Sequence, residues 1–371
     1  GLDICVALTE RSDEAATIRT VIKKLAPLVR VPLVIDTTEP DVLEAALQTA
    51  PGRCLINSTN LESGRAKADR VFALARKYNA AVIALTIDEQ GMAKTAERKL
   101  EIARRIYDIA VNEHGLKPGD LVFDLLTFTL ATGDPEFSQS AVETMEGIRQ
   151  VKQALPGVLT SLGVSNVSFG LAARARAVIN SVMLYHCVQA GLDMAIVNPA
   201  QITPYADIPQ NERDLAEDLL LNRRPDALQR LIEGIGQSPA INNKVGAQAA
   251  LLQEMAAEER LHYRIVHRVK DDVESDIDEI LARPSEERTH DRAVKILNGV
   301  LLPAMKEVGD KFGSGELILP FVLQSAEVMK KSVSYLENFL ERLEGVSKGR
   351  MVLATVYGDV HDIGKTLVKT I

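Results

Sequence analysis

Short apolar runs alternate with long amphipathic segments over residues 1–235. The segments between the runs repeat apolar residues at helical spacing, as in Glu14–Leu28, Gly64–Tyr78, Ala93–Asn112 and Ser138–Leu155. Seven runs predict strands: Leu2–Leu8, Val31–Ile35, Arg53–Asn57, Ala80–Ile87, Asp120–Asp124, Gly157–Gly163 and Asp193–Asn198. Regular alternation of this kind predicts a parallel sheet covered by helices. We therefore expect residues 1–236 to form a (β/α)8 barrel of the TIM type, with its first strand before Gly1.

From about residue 258 the pattern changes to helices alone. Apolar residues recur at helical spacing in four segments: Glu258–Val269, Val273–Ala282, Thr289–Phe312 and Leu317–Leu343. Four helices joined by short turns predict a small helical bundle over 258–346, after a linker at 237–257. The run Met351–Val356 predicts the first strand of a third, Rossmann-like domain over 347–371. Because the chain starts at Gly1 and stops soon after that strand, we expect it to be a fragment of a larger protein.

Asparagine or aspartate occurs at or just after the C-terminal ends of most predicted strands. These residues are Asp36, Asn57, Asp88, Asp124, Asn166 and Asn198. Any one of them alone is typical of ordinary turn chemistry. In a barrel, however, all of them would converge on one mouth, which is where active sites of such barrels lie. Since no basic phosphate-binding cluster accompanies them, the mouth suits a neutral heterocycle with several hydrogen-bond donors and acceptors.

A second candidate site follows the predicted strand near the C-terminus. Asp359, His361 and Gly364 there form the pattern Asp-x-His-x-x-Gly. Ligands bind at the carboxyl ends of strands in open α/β sheets, and a histidine held by a carboxylate suits metal ligation. A solvated loop histidine is one alternative; another is a metal phosphohydrolase pair at His361 and Asp362, which the preceding strand disfavours. The pattern is similar to the lower-ligand loop of corrinoid proteins, where a histidine replaces the cofactor's benzimidazole on cobalt.

The overall composition excludes several classes of protein. A hydrophobic content of 46% and a charged content of 25% are ordinary for a soluble globular protein. No apolar run reaches the ~18 residues of a membrane span, and a net charge of −8 argues against general nucleic-acid binding. The cysteines, Cys5, Cys54 and Cys187, lack metal-ligand spacing, which fits free thiols in a reducing cytosol. We therefore expect a cytoplasmic protein with no membrane or nucleic-acid partner.

The order of these parts resembles the cobalamin-dependent methionine synthase family, and the resemblance covers the whole chain. Gly163–Phe169 resembles the pterin-binding loop of that family. The strand ends at Asp36, Asn57, Asp88 and Asp124 resemble its other pterin-binding segments. The segments Val308–Gly315 and Leu319–Pro320 resemble its cap loop over the upper face of cobalamin.

The resemblance implies methyl transfer from 5-methyltetrahydrofolate to cob(I)alamin, and from methylcobalamin to homocysteine, giving methionine and tetrahydrofolate. It implies that folate is bound by Asp36, Asn57, Asp88, Asp124, Asn166 and Asn198, with Asn166 closest to N5. It implies that His361 is the lower axial ligand of cobalt, that Asp359 orients it, and that Gly364 belongs to the same cobalamin-binding loop. Phe312 and Leu319 would cover the upper face of the cofactor.

Some features depart from the family pattern or leave alternatives open. Leu125 and Leu126 follow Asp124, where related sequences often have more polar residues. Homocysteine with its zinc ion, and S-adenosylmethionine, would bind through domains absent from this chain. One alternative is a corrinoid methyltransferase or carrier that uses a different methyl donor, although the Gly163–Phe169 stretch favours folate. A second alternative is that the whole chain is a purely structural scaffold. A third is that Phe312 and Leu319 are ordinary core residues of the bundle.

Overall fold

The computed structural model describes residues 1–7, 13–235, 252, 255–284, 286–314, 316–340, 352 and 354. The chain divides into two compact units, one built from the alternating β/α region and one from the helical region. Nearly all of the predicted linker lies outside the described residues. The same is true of the predicted strand Met351–Val356, apart from Val352 and Ala354, and of the loop with Asp359, His361 and Gly364.

Six parallel strands form the sheet of the first unit, in the order β1-β2-β3-β4-β7-β8. They are β1 (Leu2–Cys5), β2 (Leu33–Asp36), β3 (Leu55–Thr59), β4 (Ala81–Leu85), β7 (Leu121–Asp124) and β8 (Leu159–Ser161). A short antiparallel pair, β5 (Ile87–Asp88) and β6 (Gly91–Met92), follows β4 in sequence. Because each strand pairs with the next one along the chain, the winding is that of a TIM-type barrel, as predicted.

Helices follow the strands and cover one face of the sheet. They are α1 (Glu14–Leu25), α2 (Pro40–Thr49), α3 (Ala66–Tyr78), α4 (Ala96–Tyr107), α5 (Ser140–Ala154), α6 (Ala173–Ala190), α7 (Gln210–Leu220) and α8 (Ala227–Gly234). Ile35, Ile56 and Val82 are direct neighbours in register on β2, β3 and β4, and each is fully buried. Since successive residues of a strand face opposite sides, the alternate positions of these strands face away from this apolar row.

Three predicted elements differ from the structure. The predicted strand Ala80–Ile87 is divided at Thr86 into β4 and β5. The last predicted strand, Asp193–Asn198, makes a single bridge between Gly163 and Ile196. Its ladder is interrupted because the Asp193 carboxylate accepts the backbone N–H of Thr160 at 2.8 Å. The predicted helix Ala93–Asn112 begins later, at Ala96 after the N-cap Thr95, and is followed by a π-helical turn at Asp108–Glu113.

The second unit consists of α9 (Ala257–His267), α10 (Val273–Ala282), α11 (Thr289–Ile296), α12 (Leu302–Gly313) and α13 (Leu319–Leu336). A π turn at Leu297–Leu301 divides the predicted helix Thr289–Phe312 into α11 and α12. Pro303 follows this turn and lacks the N–H of a regular helical residue, which accounts for the irregularity. The bundle core is mainly apolar, but it also buries Ser325, Ser332 and an ion pair between Arg264 and Asp276 at 2.5 Å, in which each charge compensates the other. Within the described residues, no helix combines the length and hydropathy needed to cross a bilayer.

Candidate active site

Three of the predicted site residues share one face of the sheet at the C-terminal strand ends. Asp36 on β2 is the register partner of Asn57 on β3, which in turn pairs with Ile83 on β4. Asp124 on β7 pairs with Leu85, two residues beyond Ile83 on the same strand. Because side chains repeat their direction every second residue, Asp36, Asn57 and Asp124 lie on the face opposite the helices. These residues therefore share one face at one edge of the sheet, as a common barrel mouth requires, and their role in binding folate stays a prediction.

Asp3 on β1 belongs to the same cluster, although sequence reasoning missed it. Its carboxylate accepts a hydrogen bond from the Asn57 amide nitrogen at 3.2 Å. Burial, and then the neighbouring Asp3 charge, raise the pKa of Asp36 to about 6. Burial raises the pKa of Asp3 as well, against the hydrogen bond from Asn57, which lowers it. The signal in the sequence was a carboxylate inside a strand that is otherwise apolar.

We expect Asp3→Asn to lower the pKa of Asp36 from about 6 towards the usual aspartate range, because a like charge is removed. Burial remains, so the pKa should stay above the ordinary value. Carboxyl ¹³C NMR titration of the protein measures this shift. Asp13→Asn, at the exposed N-cap of α1, is the matched control. An Asp36 titration that is the same in both variants would contradict the electrostatic coupling.

Asp124 is buried at the C-terminal end of β7, with 6% of its surface exposed. One carboxylate oxygen accepts the backbone N–H of Leu126 at 2.9 Å, and the Gly163 amide also stabilises the charge. Burial nevertheless raises the pKa of Asp124 to about 6, against these amides and the Lys99 charge, which lower it. Asp124 is therefore a carboxylate acceptor that is mostly ionised at neutral pH and becomes protonated below pH 6.

Asn166 and Asp124 both lie next to Gly163. It belongs to a 3₁₀ turn over Val164–Ser168, directly after the β8 region. A side-chain carbon on Gly163 would lie 3.2 Å from the Asn166 amide nitrogen, so glycine permits this close approach. The turn is held by the Thr129 hydroxyl, which donates to the Phe169 carbonyl at 2.6 Å. The loop therefore places a half-buried carboxamide next to the Gly163 amide that contacts Asp124.

Two other predicted site residues have local structural partners instead. Asp88 on β5 is buried and forms ion pairs with Arg98 and Arg105 of α4, at 2.5 and 3.7 Å. The side-chain oxygen of Asn198 caps a short turn by accepting the Ala200 N–H at 3.1 Å. These contacts are local structural roles that do not require a ligand. Folate binding by Asp88 and Asn198 stays a prediction.

The predicted cobalamin-covering residues lie in the helical unit. Phe312 on α12 is half-buried and packs against the bundle core, and Leu319 at the start of α13 is buried. In the part of the chain that the structure describes, no three His, Cys, Asp or Glu side chains are grouped to hold a metal ion. Asp359, His361 and Gly364 lie outside that part, so their roles stay predictions from the sequence.

Sequence comparison assigns the barrel residues to a known family. The model of the pterin binding enzyme family matches residues 2–198, which include each of the candidate folate-binding residues. The chain belongs to the pterin binding enzymes. A second model, of a B12 binding domain, matches residues 257–337 and so covers the helical unit. In this pterin binding enzyme, a pterin-type barrel is therefore followed by a helical B12-binding region.

The similarity to curated relatives extends along the whole chain. The chain is 44% identical over 380 residues to a methionine synthase of Mycobacterium tuberculosis (strain ATCC 25618 / H37Rv), covering 100% of this chain and 31% of that protein. It is 43% identical over 384 residues to a methionine synthase of Mycobacterium leprae (strain TN), with the same coverage. The predicted family resemblance is confirmed. The chain spans 31% of the length of these relatives.

Proposed function

We propose that this chain binds 5-methyltetrahydrofolate in its barrel and transfers the N5-methyl group to cobalamin. In the larger enzyme, homocysteine would then accept the methyl group to give methionine. The observation that carries the proposal is the common face of Asp36, Asn57 and Asp124, with Asn166 beside the last of them. Together with the pterin binding family match and the methionine synthase relatives, this arrangement favours a folate substrate.

The carboxylates suit the donors of a pterin ring. A pterin presents an amino group and a ring N–H on the same edge, and an ionised carboxylate accepts hydrogen bonds from both. Asp124 is preorganised for this role because two backbone amides fix its carboxylate at the C-terminal end of β7. Asp36 and Asn57 would contact other polar atoms of the ring. Asn57 donates to the Asp3 carboxylate, and burial and the Asp3 charge raise the pKa of Asp36 to about 6.

Asn166 would act at N5, where the chemistry takes place. The tertiary amine of 5-methyltetrahydrofolate is a poor leaving group until N5 carries a proton or a strong hydrogen bond. A carboxamide can either accept from a protonated N5 or donate to a neutral one, so Asn166 can follow N5 through the reaction. The tight turn at Gly163 would bring this side chain towards the substrate without a large movement of the backbone.

The residues of the chain also fit cobalamin. Imidazole is a nitrogen ligand that suits cobalt, and Asp359 would hold the second ring nitrogen of His361. Phe312, which is half-buried, offers apolar surface of the kind that covers a corrin ring, within a region that matches a B12 binding domain. Leu319 is buried in this structure, so its contact with the corrin ring would require a movement that exposes it. When bound, cobalamin supplies a nucleophilic cobalt that accepts the methyl group. The protein contributes binding, orientation and exclusion of water.

The proposal is tested by a single-turnover reaction of the protein with 5-methyltetrahydrofolate and free cob(I)alamin under anaerobic conditions. We expect the cob(I)alamin absorbance to disappear at a rate that saturates with folate concentration. Methylamine and a methoxyarene serve as competing methyl donors in parallel reactions. Transfer from one of these donors, without transfer from the folate, would instead identify a corrinoid methyltransferase with a different substrate.

The cobalamin assignment leads to a prediction for full-length protein that carries this chain. We expect His361→Gly to remove the lower nitrogen ligand and so change the visible spectrum of bound methylcobalamin. Asp359→Asn should cost ~10–100-fold in cobalamin affinity, as is typical when the partner of a ligating histidine is lost. His114→Gly is the matched control, because His114 also pairs with an aspartate, Asp69, at 2.8 Å on the barrel. An unchanged spectrum in His361→Gly would rule out the ligand assignment.

A further inference from the structure

Lys99 is a lysine of α4 whose side chain is buried inside the barrel unit, with 1% of the residue exposed. Its ammonium nitrogen donates to three backbone carbonyls: Ala93 at 2.9 Å, Leu125 at 2.6 Å and Leu126 at 3.2 Å. An ammonium has three N–H bonds and a neutral amine has only two. The three acceptors therefore favour the charged form, even though burial disfavours it.

The packing around Lys99 leaves room for this side chain. A side-chain carbon on Gly147 of α5 would lie only 2.9 Å from the Lys99 Cδ atom, so the glycine makes space for the lysine stem. The loop that Lys99 reaches has an unusual backbone, because Leu126 is in the left-handed region with φ of 55°. Thr144 holds the same loop by donating to the Leu126 carbonyl at 2.8 Å. A buried cation and a hydroxyl thus fix the two residues that follow Asp124.

One peptide group connects Lys99 to the candidate pterin site. The Leu125 carbonyl, which accepts the shortest of the three bonds, belongs to the same peptide as the Leu126 N–H. That N–H donates to the Asp124 carboxylate at 2.9 Å. A cation at the carbonyl end polarises the peptide and strengthens the hydrogen bond at its N–H end. The Lys99 charge is therefore transmitted to Asp124 both through space and through this peptide.

We propose that Lys99 is a positioning residue for the substrate: acting through the Leu125–Leu126 peptide, its ammonium keeps the Asp124 carboxylate ionised and oriented. This inference rests on the proposed role of Asp124 in binding the pterin. It gives a function to a buried charge that contacts no substrate. It also explains why apolar residues can follow Asp124, since the loop contributes its backbone and the lysine contributes the charge.

The electrostatics of the region agree with this role. Burial raises the pKa of Asp124 to about 6, and Lys99 opposes that rise. Burial lowers the pKa of Lys99 to about 7, while Asp124 and Glu143 of α5 raise it. Glu143 is itself held by the Ala96 N–H at 2.6 Å. Without the Lys99 charge, the pKa of the buried Asp124 would rise further, and the protonated form could no longer accept two hydrogen bonds from a pterin.

The test is Lys99→Met, which keeps the length of the side chain and removes its charge. We expect the pKa of Asp124, measured by carboxyl ¹³C NMR without ligand, to rise by about 1–3 units. We expect the loss of 5-methyltetrahydrofolate affinity on acidification to move to higher pH by the same amount. Lys152→Met is the matched control, because Lys152 also donates to a carbonyl, that of Val158, and to a carboxylate, that of Asp193. It should leave both profiles unchanged.

The coupling is reciprocal, which provides a second measurement if Lys99→Met does not fold. In Asp124→Asn, the pKa of Lys99, which burial lowers to about 7, should fall further because an opposite charge is removed. An Asp124 pKa that is unchanged by Lys99→Met, or a Lys99 pKa that is unchanged by Asp124→Asn, would overturn the inference while leaving the folate site intact. If the pKa of Asp124 shifts as expected but Asp124→Asn binds folate normally, the electrostatic link stands and the proposed pterin role of Asp124 fails.

Discussion

Asp124→Asn is expected to weaken 5-methyltetrahydrofolate binding by about 10- to 100-fold, corresponding to a loss of roughly 1.5–3 kcal/mol for a charge-assisted hydrogen bond. The asparagine has nearly the same shape, but it presents one acceptor and one donor where the pterin edge presents donors only. The NH₂ group would then oppose a donor of the ring. Because the chain has no tryptophan to report binding by fluorescence, isothermal titration calorimetry is the direct measurement of affinity.

Asp120, just before the N-terminal end of β7, provides a matched control for Asp124. Asp120 precedes β7, pairs with Arg53 and lies away from the C-terminal strand ends. Asp120→Asn therefore makes the same chemical change in the same unit and should leave folate affinity unchanged. Equal affinity losses in the two variants would indicate a general effect on the barrel. Normal binding by Asp124→Asn would exclude Asp124 as the pterin acceptor.

The pH dependence of binding follows from the same residue. Because burial raises the pKa of Asp124 to about 6, its carboxylate is ionised above that pH and protonated below it. Folate affinity should be highest above pH 6 and should fall as the pH drops through that value, provided that the substrate itself does not titrate there. Asp124→Asn should remove the part of this acid limb that Asp124 contributes, since an asparagine has no proton to gain, and should leave the part that comes from Asp36, whose pKa is also raised to about 6.

The strand-end residues could be predicted from the sequence because side chains alternate between the two faces of a strand and parallel strands end at the same edge of the sheet. Once the apolar runs are placed, each C-terminal end falls at the same edge, and Asp36, Asn57 and Asp124 follow. The partners of Asp88 and Asn198 could not be predicted in this way. Asp88 is neutralised by arginines of the following helix, and Asn198 caps its own turn. Which polar side chain finds a local partner depends on rotamers and loop geometry, which a pattern of residue types does not contain.

Lys99 could not be predicted for a different reason. In the segment Ala96–Tyr107, lysine and arginine occur several times, and helical periodicity alone treats them all as a solvated face. Only the packing of α4 against Gly147 and against the loop after Asp124 shows that one lysine turns inwards. The sequence does contain one indication of the buried lysine, because the apolar residues Leu125 and Leu126 are unusual directly after Asp124. Their explanation required the carbonyls of the folded loop.

Asn166→Ala is expected to reduce the rate of methyl transfer by about 10²–10³-fold, in the range found when one donor to a transition-state charge is removed. Affinity for 5-methyltetrahydrofolate should fall much less. The reason is that charge and proton affinity at N5 change as the N–CH₃ bond breaks, so a carboxamide that follows N5 interacts most strongly in the transition state. Single-turnover transfer to free cob(I)alamin gives the rate, and equilibrium binding gives the affinity.

Asn112→Ala is the control for this change. Asn112 is exposed, and its side-chain amide donates to the carboxylate of Asp108, one helical turn earlier. It should leave both the rate and the affinity as they are. Equal losses in rate and affinity for Asn166→Ala would reduce Asn166 to a binding residue, with N5 protonated by solvent or by another group. A normal rate would remove it from the chemistry altogether. A loss confined to the rate would identify the Gly163–Phe169 turn as the element that activates N5, since Gly163 and the Thr129–Phe169 hydrogen bond fix where the Asn166 side chain can reach.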